Sequence, residues 1–276
     1  MKPGQGDKME QKGIINIFAN SSEISRETRS VFKQKLEKSG FVVPRQFDPQ
    51  AELIVCVGGD GSFLKTLHKY DFPDIPFVGV NTGHLGFFQE LHPDQLDEFI
   101  FKYKQKQYEV QDLKTIKATI TVRRQECVRT SLNEIVIKGG RSQLVHLNLS
   151  IGDSFIERFS GDGILAATSA GSTAYNYALG GSIVDPRLNL LQITPISPVN
   201  TTAYRSFTSS VLLPSGLPVT IYPENEDERG HLVVVDGMEQ RFSRIDKITV
   251  DIGPHIVRLL RLEHYDFWTK VKSKFL

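Results

Sequence analysis

Residues 53–67 constrain the fold most, because they read as a buried strand running into a glycine turn and then a helix. Leu53-Ile54-Val55-Cys56-Val57 is a continuous apolar run rich in β-branched side chains, which suits a central parallel strand covered on both faces. Gly58-Gly59-Asp60-Gly61 follows, and Ser62-Phe63-Leu64-Lys65-Thr66-Leu67 then puts Phe63, Leu64 and Leu67 on one helical face. Ser62 is the expected N-cap. Glycines at a helix N-terminus expose N–H groups that attract phosphate. Asp60 is the unusual member, since a carboxylate repels such a ligand unless it handles a proton, a hydroxyl or a metal ion. On these residues alone, a plain βα turn whose Asp caps its own backbone fits equally well.

Around this motif strands and helices alternate. Ile14–Ala19 reads as a strand, and Ser22-Glu23 starts a helix to about Ser39 with Ile24, Val31, Phe32 and Leu36 as its buried stripe. Gly40 closes that helix, Phe41-Val42-Val43 reads as a second strand, and Asp48-Pro49 breaks the chain before Leu53. Pro76–Asn81 is another short strand, leaving through Asn81-Thr82-Gly83-His84-Leu85-Gly86-Phe87, and Pro93 to about Lys104 is a helix with Leu96, Phe99, Ile100 and Tyr103 inward. This pattern predicts an α/β domain with a parallel, Rossmann-like sheet, whose ligands gather at the carboxyl ends of the strands. Asp60 lies at such an end.

From about Asp112 the period changes to two. Ile116, Ala118, Ile120 and Val122 alternate with Lys117, Thr119, Thr121 and Arg123, and Leu147–Ile151 and Ile248–Ile252 repeat the alternation. The expectation is an α/β N-terminal domain over 1–111 and an all-β, sandwich-like C-terminal domain over 112–256. Arg123-Arg124 with Arg129 reads as the exposed flanks of a hairpin. Residues 257–276 carry Leu259, Leu260, Leu262, Phe267, Trp268, Val271 and Phe275, an apolar set expected to pack back on the first domain.

Lys plus Arg number 33 against 32 Asp plus Glu, so no net field recruits nucleic acid or membrane. The two cysteines, Cys56 and Cys127, show no metal-type spacing and fit reduced thiols of a cytoplasmic protein. Met1–Lys12 is polar, without the apolar core of a signal peptide, and reads as a flexible leader.

Further motifs stand with the first. Asn133-Glu134 precedes the apolar Ile135-Val136-Ile137, pairing an amide with a carboxylate at a strand start. Ser160-Gly161-Asp162-Gly163-Ile164 leads to Thr168-Ser169-Ala170-Gly171-Ser172-Thr173-Ala174-Tyr175-Asn176 and then Gly180-Gly181, a density of hydroxyls, glycines and aromatic rings suited to sugar, phosphate and base. With Ile196-Ser197-Pro198 and Asp236-Gly237, the set in this order resembles the NAD kinases, in a compact bacterial form.

The resemblance implies a two-domain enzyme, with its site between the domains, that transfers the γ-phosphoryl group of ATP, or a phosphoryl group of polyphosphate, to the 2′-hydroxyl of the adenosine ribose of NAD. It implies Asp60 as the catalytic base and Gly59, Gly61 and Lys65 near phosphate. It implies Asn81 and Phe87 in the same pocket, Phe87 as an aromatic wall, with Asn133 and Glu134 on ribose hydroxyls and Asp162 on the nicotinamide half. Thr173, Ala174, Tyr175, Asn176, Tyr177 and Ala178 would line the adenine and ribose pocket, with Ser197 and Asp236 completing the substrate-binding set. No protein metal site is implied, because Mg2+, or another divalent metal, arrives with ATP. A homodimer or homotetramer is the implied assembly. The chain departs from the family at Ser62, where Thr is usual, at Ser169-Ala170, where Pro-Thr is usual, and at Val199-Asn200, where His-Ser is usual, so no histidine role is carried over. Two other readings remain: a lipid kinase of the same superfamily acting on diacylglycerol or a sphingoid base, and a non-catalytic NADP(H)-binding sensor. The Gly171–Tyr175 run weighs against the first and Asp60 against the second.

Overall fold

In the computed structural model, which describes residues 13–83, 86–140, 143–224, 230–262 and 265–276, the chain begins with strand β1 (Ile15–Ala19) and helix α1 (Glu23–Lys38). Then come β2 (Leu53–Val57), α2 (Asp60–Lys69), β3 (Phe77–Val80), β4 (Gln89–Leu91) and α3 (Leu96–Lys104). Next are β5 (Glu109–Val122), β6 (Gln125–Ser131), β7 (Glu134–Gly139), β8 (Val145–Ile151), β9 (Ser154–Gly161), β10 (Gly163–Thr168) and the short α4 (Tyr175–Ala178). The chain ends with β11 (Leu190–Ile196), β12 (Val211–Pro214), β13 (Val219–Pro223), β14 (His231–Val235), β15 (Met238–Phe242), β16 (Ile245–Arg261) and α5 (Phe267–Phe275). Two compact units result, one of the residues up to Gln111 with Arg258–Leu276, the other Asp112–Val257.

The first unit is α/β. β2 is buried along its whole length and pairs in parallel with β1 (Ile17↔Val55) and β3 (Val55↔Val78), and the end of β16 joins β3 in parallel at Leu259↔Phe77. Phe32 and Leu36 of α1 and Leu96, Phe99 and Ile100 of α3 pack with the strands in one apolar core. The buried face of α1 is Ser25, Thr28, Phe32 and Leu36, whereas Ile24 and Val31 are exposed. Ser25 is admitted inward because its hydroxyl bonds Ser22 and Thr82, which satisfies the polar atom that burial would otherwise penalise. Phe41–Val43 forms no strand: a single bridge joins Ile14 to Val42, whose side chain is exposed. The Pro93 helix opens with a 3-10 turn over Pro93–Gln95 before α3. The leader Met1–Lys12 and the motif residues His84 and Leu85 lie outside the described residues.

The second unit is all β. Six antiparallel strands run in the order β12-β11-β10-β7-β14-β15, and a second layer places β13 between β8 and β16, with β9 beside β8 and β6 beside β5. Ile135, Ile137, Ile164 and Val233 of the first layer meet Ile116, Leu147, Ile221 and Ile248 of the second in one buried cluster, the packing of a β-sandwich. Arg123 and Arg124, both at positive φ, form the β5–β6 hairpin turn itself.

Candidate active site

In the first unit the site grows from the β2–α2 turn. Gly58, at φ +146°, takes a conformation that favours glycine and turns the chain sharply after Val57. Gly59 is therefore the N-cap, Asp60 opens α2, and Ser62 lies inside the helix, where its hydroxyl accepts from the Asn20 side chain at 3.1 Å. The expectation that Ser62 caps α2 is corrected accordingly, because the turn is complete two residues before it. A Cβ added at Gly59, Gly61 or Gly83 would meet nothing within 4 Å among the described residues, so the space in front of these peptides is open to a ligand.

Asp60 is held from one side. Its Oδ2 accepts the Phe87 N–H at 2.9 Å, and its Oδ1 accepts the Phe88 N–H at 3.1 Å and the Gln89 side-chain amide at 3.4 Å. A Cβ at Gly86 would strike the same carboxylate, which explains glycine there. Asp60 remains 24% exposed, and Lys274 Nζ of α5 stands 3.9 Å from Oδ2. Two N–H donors of consecutive peptides fix the carboxylate without consuming all of its lone pairs, so an incoming hydroxyl still finds an acceptor. The Phe87 ring is buried among Phe267 and Phe275. Asn81 is buried, its Oδ1 accepting the Gly83 N–H at 3.0 Å, and Lys65 is exposed.

At the carboxyl end of β1 an open groove of about 700 Å³ is lined by Arg26, Arg29, Arg45 and Lys69 together with Phe18, Phe47 and Tyr70. Phe47 and Tyr70 stack at 4.2 Å between ring centroids. Among the described residues no acidic side chain lines it. Asn20 belongs both to this groove and, through Ser62, to the Asp60 turn.

In the second unit the site grows from Asp236, which sits at φ +46° after β14. Its carboxylate accepts the Leu132 N–H at 2.9 Å, the Asn133 N–H at 2.8 Å, the Glu134 N–H at 3.3 Å and the Ser131 hydroxyl at 2.5 Å. That clamp bends the chain at the start of β7, so Asn133 and Glu134 are both buried. Among the described residues Asn133 Oδ1 and Glu134 Oε2 have no protein partner. Buried polar atoms are nearly always paired, so two orphans on adjacent residues mark a place built for a ligand. Burial, and after it the Asp236 carboxylate, push the Glu134 carboxyl up to about 8, so it carries a proton at neutral pH and offers a donor.

The glycine-hydroxyl segment packs against the same loop. Thr168 Oγ1 donates to the Leu132 carbonyl and accepts the Gly171 N–H, and a Cβ at Gly171 would collide with the Asn133 carbonyl. Asn176 is wholly buried, with its Oδ1 taking the Thr194 hydroxyl at 2.6 Å and its amide donating to the Ser172 carbonyl. Thr173 is buried, Ala174 half-buried, and Tyr175, Tyr177 and Ala178 project to solvent. Asp162 is exposed, its N–H bonded to the Ile196 carbonyl beside Ser197, itself exposed at φ +47°.

The structure thus brings Asn133 and Glu134 together with Thr168, Gly171 and Asp236, and brings Asp162 together with Ser197 in a second group. Glu134 pairs with Ala167, and Gly163, just after Asp162, pairs with Lys138, so the two groups lie at opposite ends of the β7–β10 ladder. At about 3.3 Å per residue, roughly 13 Å separates those ends. Sequence reasoning missed the basic groove and the lysines of α5; the only available signal was the spacing of Lys270 and Lys274, one helical turn apart on an amphipathic helix. Among the described residues no three His, Cys, Asp or Glu side chains gather as a metal cage, and no helix is long and apolar enough to cross a membrane.

Comparison with known proteins gives a consistent picture. A sequence model of the ATP-NAD kinase N-terminal domain matches residues 9–108, and one of the ATP-NAD kinase C-terminal domain matches residues 132–262. The NAD kinase of Finegoldia magna is 38% identical over 267 residues, covering 95% of this chain and 98% of that protein. That of Streptococcus gordonii is 32% identical over 270 residues, covering 95% of each. Among solved structures, yeast NADH kinase complexed with NADH superposes with a TM-score of 0.83 at 20% identity, covering 96% of this chain and 88% of that one. An NAD kinase from Archaeoglobus fulgidus in complex with ATP gives 0.74 at 21% identity, covering 94% and 99%.

Proposed function

The chain belongs to the ATP-NAD kinase family and phosphorylates NAD to NADP with ATP, and we propose that Asp60 is the group that receives the proton of the attacking ribose hydroxyl. The observation that carries this is the Asp60 carboxylate itself, fixed by the Phe87 and Phe88 peptides at a strand end with one side left open. The ribose 2′-oxygen attacks the γ-phosphorus, the bond from that phosphorus to the β–γ bridging oxygen breaks, ADP leaves, and the hydroxyl proton passes to Asp60. Phosphoryl transfer asks little covalent work of the protein, so positioning and charge do most of it.

Gly59, Gly61, Lys65 and the cationic groove serve the donor's phosphates, whether from ATP or from polyphosphate. Divalent metal, Mg2+ or another, is read as arriving with the donor, where it would neutralise phosphate charge. Asn133 and the protonated Glu134 meet ribose hydroxyls, an acceptor and a donor whose orphaned atoms await partners. Asp236 positions that pair. Thr173, Ala174, Tyr175, Tyr177 and Ala178 face adenine and ribose, Asn176 braces them from within, Asn81 and Phe87 support the Asp60 turn, and Asp162 with Ser197 takes the nicotinamide half. The separation along β7–β10 supports this division, because it suits an extended dinucleotide better than a mononucleotide. Exposed Phe155 and Phe207 on the β unit support self-association as a homodimer or homotetramer. The two unpaired thiols, Cys56 and Cys127, fit a cytoplasmic location.

An assay of NADP formation from NAD, ATP and Mg2+ tests the role of Asp60. Loss of a positioned base costs about 10²- to 10⁴-fold in rate, so Asp60→Asn is expected to turn over that much more slowly, and an undiminished rate would remove Asp60 from the chemistry.

A further inference from the structure

We propose that Lys274, in the last turn of α5, is a further positioning residue of the phosphoryl transfer: its ammonium offsets the charge of Asp60 toward the donor's phosphates. The inference rests on the reading of Asp60 as the base.

A carboxylate beside a triphosphate is electrostatically awkward. Asp60 receives only neutral donors from Phe87, Phe88 and Gln89. Lys270 on the same helix as Lys274 feels the Asp60 charge from farther off and is committed to the Gln89 carbonyl and Glu90, while Lys274 makes the ion-pair contact, 3.9 Å from Oδ2. That distance is too long for a hydrogen bond, so the contact supplies charge and leaves the three N–H donors of the ammonium to another acceptor. The ammonium lies 4.7 Å from the centroid of the Phe87 ring, a cation–π contact that holds it in place without consuming a donor. Lys274 is also about one-third exposed, so a phosphate oxygen can reach it.

The helix that carries Lys274 is firmly seated in its unit. The Asp266 carboxylate accepts the Trp268 and Thr269 N–H groups and caps α5, and Phe267 and Val271 are buried. Lys270, one turn before Lys274 on the same face, donates to the Gln89 carbonyl and lies 3.9 Å from Glu90. Glu90 in turn pairs with the buried Arg261, whose guanidinium donates to the Phe87 carbonyl at 3.1 Å. Both lysines therefore grip residues 87–90, the segment whose peptides hold Asp60. α5 lies wholly beyond residues 132–262, where the C-terminal family model matches.

The test compares Lys274→Gln and Lys274→Arg with wild type and Asp60→Asn in NADP formation, with KM measured separately for NAD and ATP and folding followed by thermal melting. The expected result is a fall in kcat of about 10- to 100-fold for Lys274→Gln, below the loss for a fully buried electrostatic donor because the site is part-exposed. KM for NAD should stay within about twofold, the melting temperature should hold, and Lys274→Arg should recover most of the rate. A wild-type kcat in Lys274→Gln overturns the proposal and leaves α5 as a packing element. So does an equal loss in the Gln and Arg variants accompanied by a lowered melting temperature, since the side chain then acts through folding. If Asp60→Asn is unimpaired, the Asp60 reading itself fails and takes this proposal with it; if Asp60→Asn collapses while Lys274→Gln is unimpaired, only the role of Lys274 fails.

Discussion

Replacing Glu134 by Gln isolates the cost of burying an ionisable group where a ligand is to bind. In the folded chain burial and the neighbouring Asp236 carboxylate raise the Glu134 carboxyl from 4.5 to about 8. Below pH 4.5 both the folded and the unfolded chain hold the proton, and the group makes no difference to stability. Between there and about pH 8 the unfolded chain has released a proton that the folded chain retains, so stability falls as pH rises, by about 1.4 kcal/mol per pH unit. Above that window both states are ionised and the loss is complete, at about 5 kcal/mol at most. Glu134 is 8% exposed, so solvent screens little of this. Gln keeps the shape and an amide donor but cannot ionise. Urea unfolding at pH 5, 7 and 9 is the assay: wild type should lose several kcal/mol relative to Glu134→Gln from the lowest pH to the highest. Parallel stability curves for the two proteins would refute the buried, protonated carboxyl and with it the donor assigned to Glu134.

Two further predictions rest on other parts of the site. Asp236→Ala leaves the Leu132, Asn133 and Glu134 N–H groups without their acceptor, while the Ser131 hydroxyl keeps the Glu134 carbonyl. At about 1–3 kcal/mol for each buried group left unpaired, a destabilisation of at least about 3 kcal/mol is expected in urea unfolding, with a higher KM for NAD, and a change below 1 kcal/mol would contradict the clamp. Arg26→Glu combined with Arg45→Glu inverts two charges of the groove; KM for ATP should rise about tenfold or more and KM for NAD should not, whereas equal changes in both would detach the groove from the donor.

The parts of this molecule that were legible in sequence are those whose causes are local. Leu53–Val57 announces a central strand by composition alone, and the alternation through Ile116–Val122 announces an edge between core and solvent. Capping was misplaced at Ser62 because a glycine, Gly59, can stand at the cap without a side-chain bond, and no letter marks that choice. The inward face of α1 was misread for a related reason: Ser25 and Thr28 are buried in place of Ile24 and Val31, and the hydroxyl partner that admits Ser25, Thr82, arrives from another element. The motif residues Asn133, Glu134 and Asp236 were visible as letters, but the bend that buries the first two depends on a carboxylate about a hundred residues downstream. Lys274 and Asp60 are more distant still in sequence, and only the docking of α5 brings them together.

The most direct test of the account joins chemistry to binding in one variant. Asp60→Asn preserves the side-chain shape at the turn, and NAD binding to it can be followed by calorimetry while NADP formation is followed in single turnover. The account predicts a dissociation constant for NAD within about threefold of wild type and a single-turnover rate lowered about 10²- to 10⁴-fold. A variant that transfers phosphate at the wild-type rate, or one that loses turnover only because it no longer binds NAD, would contradict the assignment of Asp60 as the base.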